Sequence, residues 1–461
     1  MFQVVENWRK KSRYRDVSRV CIPLVTGMAA TTVMEFTDRI FLSHYSVDAI
    51  SAVVPAGVSV FLLLVFFGGI ASYISVFIAQ YSGAGRLDRI GATLWQGIFF
   101  TLFSGIILFG IASFVTEPLF SLVGHGANIQ ILEVQYFSIL CQGGILHVAI
   151  QTLSGFFTGR GMTRPVMIAN ILGMVVNIPL NYALIYGAWG APELGVVGAG
   201  VATVVAWGVT VLCLAPPIFS KRFQQEFRLL ESIAIDWVIL KRLLKYGVPG
   251  ALQFSMDVFA FTFFILIVGR MGTMPLAASN IVISISSLAF MPALAFSFGI
   301  SSMAGQALGR GKPEEARSAA WSGIHLLMCY TLVLDACLIF FSEAIVALFI
   351  DTEAAGVNYE ELLSMASILL KFVATYILLD VFYMIFAAVL KGAGDTRFLL
   401  LAICSATVFI MLLPLIIGIN YLGMNVYMAW GCVVLFIGSL ALMTSLRYRG
   451  GKWEKMLVIG G

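Results

Sequence analysis

The sequence predicts an all-α polytopic membrane protein with twelve transmembrane helices in two pseudo-symmetric six-helix lobes, and three observations carry that prediction. Of 461 residues, 60% are hydrophobic and 11% charged, with a mean hydropathy of +0.96; soluble globular proteins carry about 25% charged residues. Apolar stretches of roughly 20 residues, each long enough to cross hydrocarbon, recur along the whole length. Basic residues collect in alternate connections between those stretches. Together these exclude an ordinary soluble enzyme, a disordered chain and a collagen. With 28 basic and 24 acidic residues the net charge of +4 provides no field for nucleic acid.

The first element is a basic segment over 1–19, with Arg9, Lys10, Lys11, Arg13, Arg15 and Arg19. The apolar stretch after it is too long for a signal peptide and lacks a cleavage site, so it is expected to stay as span 1. Polar punctuation places spans 1 to 6 near 20–42, 50–79, 92–116, 132–157, 165–187 and 194–219, and spans 7 to 12 near 246–270, 278–304, 318–341, 363–390, 398–420 and 425–446. The tails and the connections after spans 2, 4, 6, 8 and 10 hold 25 of the 28 Lys and Arg, the exceptions being Arg39, Arg270 and Lys371. Positive charge stays on the cytoplasmic side, which predicts both termini and those five loops there. The expected organisation is a cytoplasmic N-terminal segment 1–19, an N-lobe 20–219, a charged cytoplasmic linker 220–245 with amphipathic pieces such as 235–244, a C-lobe 246–446, and a cytoplasmic tail 447–461.

The halves repeat. A shift of 226 residues lays Gln306-Ala-Leu-Gly309-Arg-Gly311-Lys312 over Gln80-Tyr-Ser-Gly83-Ala-Gly85-Arg86 and pairs Pro23 with Pro249, Trp95 with Trp321 and Gly97 with Gly323. At a slightly larger offset Gly159-Arg-Gly161-Met-Thr163-Arg164 matches Gly392-Ala-Gly394-Asp-Thr396-Arg397. Six spans per copy insert both copies the same way up, related by an axis along the membrane normal, with a cleft between the lobes. The glycine motifs read as tight turns after helices; Gly311-Lys312 is followed by Pro313, so there is no phosphate-binding P-loop. The seven cysteines are odd in number and lack C-x-x-C spacing, which fits small apolar fillers better than a disulfide framework or a metal site. His147 and His325 read as packing residues, and no nucleophile, histidine and acid constellation or other catalytic grouping is present.

Ionisable groups inside a span are costly and usually functional. Asp257 lies eleven residues beyond Tyr246 and Asp380 eleven before Lys391, which puts each about 16 Å from the cytoplasmic boundary, near the centre of the hydrocarbon core. Tyr376, four residues before Asp380, shares its helix face and can supply a phenolic oxygen. A bound monovalent cation would favour the ionised carboxylates; the alternative is a structural hydrogen-bonded pair. In the first half Glu35 and Asp38 are spaced i, i+3, while Asn177 and Asn181 are spaced i, i+4 around Pro179. Carboxylate with amide oxygens suits a hard cation, the alternative being polar glue between spans 1 and 5. Lys371 is out of phase with Asp380, and Asp335 has no visible partner. The aromatic and Met content can line an adaptable cleft for organic cations.

Taken together, Phe36-Thr37-Asp38, the Gln80 motif, Val176-Asn177-Ile-Pro-Leu-Asn181, Gly190-Ala-Pro-Glu-Leu-Gly195, Gly198-Ala-Gly-Val-Ala-Thr203, Pro249 with Asp257, and Tyr376-Ile-Leu-Leu-Asp380 resemble the multidrug and toxic compound extrusion (MATE) family, its NorM-like branch above all. The resemblance implies a multi-pass transporter of the cell inner membrane, not an enzyme. It implies export of amphiphilic or cationic compounds in exchange for Na+ or H+ by alternating access of the two lobes. It further implies that Asp257, Asp380 and Tyr376 hold the coupling cation in the C-lobe, that Asp38, Asn177 and Asn181, with Thr203 and Glu35, form an N-lobe cation or proton site, and that Asn280 is a cavity position. No cofactor beyond the coupling ion, and no metal beyond Na+, is expected. The partners implied are small-molecule substrates and membrane lipids, with a monomer as the family default. A lipid-linked precursor flippase of the same superfamily is the alternative, weakened by the scarcity of basic residues outside the cytoplasmic segments.

Overall fold

The computed structural model describes residues 13–350 and 358–460, so Arg9, Lys10 and Lys11 lie outside the described residues. Among the described residues every regular element is helical, and twelve helices are long and apolar enough to cross a membrane: α1 Tyr14–Tyr45, α2 Val47–Gly83, α3 Asp88–Phe114, α4 Ala127–Gly159, α5 Arg164–Tyr186, α6 Val196–Ile218, α7 Trp237–Met271, α8 Thr273–Gly309, α9 Pro313–Phe340, α10 Tyr359–Ala393, α11 Thr396–Tyr421 and α12 Val426–Arg449. One helix answers to each expected span.

Several helices outrun the apolar stretch that marked them, because hydropathy changes at the membrane surface while a helix ends only where its backbone is interrupted. α7 shows this best. It starts at Trp237, inside the expected linker 220–245, since neither Pro nor Gly interrupts the chain before Gly247. Asp236 caps it: its Oδ1 accepts the backbone N–H of Val238 at 3.0 Å and of Ile239 at 3.1 Å, satisfying donors that a first turn leaves open. Asp236 is itself held by Arg89 at 3.2 Å, and Gln96 Oε1 accepts its backbone N–H. Earlier in the linker a short helix, Lys221–Phe227, buries Phe223 and Phe227, and a 3-10 turn follows over Leu230–Ser232. In α11 the turn over Thr407–Leu412 widens to a π-helix just ahead of Pro414, whose missing N–H breaks the regular ladder. The repeated glycine motifs end in turns: Gly85 and Gly311 have φ of 70° and 69°, and Gly161 and Gly394 of 73° and 99°, a left-handed backbone that glycine adopts without cost.

The chain divides into two compact units. One comprises Met1–Cys21, Leu252–Leu308 and Lys312–Leu457, the other Ile22–Ala251, Gly309–Gly311 and Val458–Gly461. These differ from the expected organisation in the placement of 13–21 and 237–251, where the division runs through α1 and α7 close to Pro23 and Pro249, and of the short segments 309–311 and 458–460. Within the unit built mainly from the second half, the start of α1 is fastened to α9: the Arg13 backbone N–H donates to Ser322 Oγ at 3.0 Å, its guanidinium pairs with Glu315 at 3.2 Å, and Tyr14 Oη meets His325 Nδ1 at 2.9 Å. α10 is the central helix of that unit, packed along α9 and α12, and α4 has the same place in the other, packed along α2, α3 and α6. His147 packs edge-on against Trp207.

Candidate functional site

In the unit built mainly from the first half, α1, α5 and α6 bring four of the expected residues together. Asp38, Asn177, Asn181 and Thr203 are all buried. Asn181 Nδ2 donates to Asp38 Oδ1 in a short hydrogen bond and to Asn177 Oδ1 at 2.9 Å. Thr203 Oγ1 donates to Asp38 Oδ2 at 3.2 Å and also lies 3.0 Å from the Ala199 carbonyl. The i, i+4 spacing of Asn177 and Asn181 puts both amides on one face of α5, and Pro179 between them leaves the Val175 carbonyl without its usual helical donor. Asn177 Nδ2 and Asn181 Oδ1 have no hydrogen-bond partner. Asp38 thus accepts its hydrogen bonds from neutral donors, and an unused amide oxygen sits within the cluster. Carboxylate and amide oxygens are the ligand chemistry of a hard cation. Glu35 is exposed and joins none of these hydrogen bonds; its charge interacts with that of Arg39, one turn on.

In the other unit α7 and α10 present Asp257 and Asp380, close enough for the two charges to repel. Asp380 is buried and Asp257 half-buried. Tyr383, not Tyr376, reaches Asp257: its Oη lies 3.4 Å from Asp257 Oδ2, and Gln253 Nε2 donates to that phenol at 3.0 Å. Tyr376 is buried beside Asp380 but donates its hydroxyl to Ser286 Oγ on α8 at 2.9 Å. Sequence reasoning missed Tyr383, Gln253 and Ser286. Tyr383 was detectable, since it follows Asp380 by three residues and i, i+3 neighbours share a face as i, i+4 neighbours do. Neither acid has a salt-bridge partner among the described residues. Asn280 is exposed on α8, and Lys371 is exposed on α10.

Two carboxylates that repel each other, near the middle of long apolar helices and lacking a basic partner, need an external positive charge or a proton to be stable there. Among the described residues no cluster of His, Cys, Asp and Glu has the makings of a transition-metal site, and the oxygen-rich donor sets suit a monovalent cation.

A protein-family model, MatE, matches residues 23–183 and 249–416, covering both halves of the chain. The chain belongs to the MatE family. Members of this family are transporters rather than enzymes, and this MatE chain is a multi-pass membrane protein. It is similar to the multidrug resistance protein MdtK of Yersinia enterocolitica, 31% identical over 83% of this chain and 82% of the relative, and to MdtK of Yersinia pseudotuberculosis, 30% identical over the same shares. Solved structures share the fold: a MOP superfamily transporter from Pyrococcus furiosus (23% identity, TM-score 0.85, 95% of this chain and 96% of that one) and the eukaryotic MATE transporter AtDTX14 (16%, TM-score 0.84, 97% of each).

Proposed function

We propose that this MatE chain exports amphiphilic, cationic organic compounds in exchange for Na+ or H+. The observation that carries the proposal is the pair of acidic clusters within the spans, Asp38 with its two asparagines and Asp257 with Asp380, neither of which forms a salt bridge among the described residues. A small cation or proton bound there cancels the negative charge and weakens attraction for a cationic cargo; its departure restores that attraction. Exchange follows if the cargo-loaded and ion-loaded forms interconvert between inward and outward access while the empty form does not. The names of the MdtK relatives agree with multidrug cargo. In this reading Asp257, Asp380, Tyr383 and Tyr376 bind the ion in one unit, and Asp38, Asn177, Asn181 and Thr203 in the other. The chain works as a monomer in the lipid of the bacterial inner membrane, with both tails in the cytoplasm.

Competition between ion and cargo tests this directly. Affinity of the purified chain for a fluorescent cationic dye should fall as Na+ or proton concentration rises, and the dependence should weaken in Asp257→Asn with Asp380→Asn. Dye affinity indifferent to both ions would contradict the proposal.

A further inference from the structure

Of the buried carboxylates outside the two clusters, Glu133 bonds His125 Nδ1 at 2.8 Å and Asp395 pairs with Arg447 at 2.6 Å. Asp335 on α9 has neither arrangement: it is 4% exposed, and both Oδ1 and Oδ2 lack a hydrogen-bond partner. It falls on the buried stripe Leu327, Thr331, Asp335 and Leu338 of α9, a helix that packs along α10. The register is set where Trp321 meets Phe386, with ring centroids 6.1 Å apart, and where Gly323 lies against Ile385. Twelve residues further along α9, about 18 Å, the opposing helix has reached Val373. Its buried residues there, Leu369, Leu370, Val373 and Ala374, are all apolar. Charged groups on the elements packed around this stretch do not neutralise Asp335. Lys371, Glu360 and Glu361 of α10 and Glu343 of the short helix after α9 are exposed, Tyr376 is committed to Ser286, and Asp380 belongs to the other cluster.

An ionised carboxylate with no counter-charge and no donor in such surroundings is far less stable than the neutral acid. We propose that Asp335 is a proton-binding site, separate from the two acidic clusters, that holds a proton at neutral pH. It exchanges that proton through the far end of α9, which closes at Phe340, five residues or about 7.5 Å away. The ligand is a proton rather than a metal ion, because the only other side-chain oxygens on the nearby buried faces of α9 and α10 are the hydroxyls of Thr331 and Ser367, too few to complete a coordination shell. This inference does not rest on the efflux proposal, and its test reads a carboxyl group rather than transport.

Infrared spectroscopy of the full chain in liposomes at pH 7 decides it, since an ordinary aspartic acid, with a pKa of about 3.9, is fully ionised there. The spectrum should contain a protonated-carboxyl C=O band that loses the intensity of one group in Asp335→Asn, and that component should disappear reversibly as the pH is raised. An unchanged band in Asp335→Asn would show Asp335 ionised and overturn the proposal; a component that persists at every pH would overturn the exchange. Should Asp335→Asn fail to fold, Asp335→Glu serves the same purpose, because it shifts the band without removing the acid.

Discussion

Asp38 is held by neutral donors, the Asn181 amide and the Thr203 hydroxyl, whereas Asp257 has only the Tyr383 phenol and the repelling charge of Asp380 beside it. The second arrangement is the less satisfied and therefore the more dependent on a bound ion. Asp257→Asn or Asp380→Asn should abolish ion-driven efflux while leaving membrane insertion intact, as read by dye flux beside the amount of protein in the membrane. Tyr383→Phe removes a hydrogen bond that stabilises the ion-free Asp257 carboxylate, about 1.5 kcal/mol or more, so apparent ion affinity should rise roughly tenfold. Tyr376→Phe breaks a neutral bond to Ser286 and should change that affinity less; equal effects in an ion titration would contradict these roles. The sequence exposed Asp38, Asn177, Asn181, Asp257 and Asp380 because polar side chains stand out in apolar helices. It could not say which of two tyrosines flanking Asp380 turns towards Asp257, since that depends on Ser286 and Gln253, contributed by neighbouring helices.

At the scale of the helices, the length and apolar run of each span were legible, and the helix ends were not. The start of α7 was concealed by the charges of 241–245, which mark the membrane surface but do not stop a helix. Close helix contact was equally hidden. A Cβ at Gly198 of α6 would lie 2.5 Å from the Leu184 carbonyl oxygen of α5, so Gly198→Ala must push two backbones apart. Chemical denaturation should show it destabilised by about 1–3 kcal/mol. Gly110 has nothing within 4 Å of such a Cβ, and Gly110→Ala should be neutral or stabilising by up to about 1 kcal/mol. Arg160, in the turn after α4, lies over Phe156, Phe223 and Phe227 at 5.1, 4.4 and 4.4 Å. Burial pushes its guanidinium below the usual arginine range, Glu226 at 3.7 Å works against that, and Arg222 adds to it; arginine's reserve leaves it charged at neutral pH. Arg160→Lys keeps the charge but loses the planar stacking, and should cost about 1 kcal/mol in the same assay. A variant as stable as the parent would remove this role.

For the whole molecule, the duplication was visible in short matched blocks, and the paired left-handed glycines at 85 and 311 and at 161 and 394 carry it into the backbone. The allocation of 13–21 and 237–251 to compact units was not visible, because it rests on contacts such as Arg13 with Glu315 that hydropathy does not encode. In the proposed orientation the basic loops and both tails lie in the cytoplasm. A green fluorescent protein fused after residue 461 should therefore fluoresce in cells, and an alkaline phosphatase fused there should stay inactive; the reverse pattern would invert the orientation. Exchange of an ion for a cationic cargo remains the central claim. Its most direct test is efflux of a fluorescent cationic dye from proteoliposomes under sodium and pH gradients imposed separately, for the parent chain and for Asp257→Asn with Asp380→Asn. The account predicts that at least one gradient drives dye uphill in the parent and neither does in the double variant. Dye movement that ignores both gradients, or that persists undiminished without the two carboxylates, would contradict it.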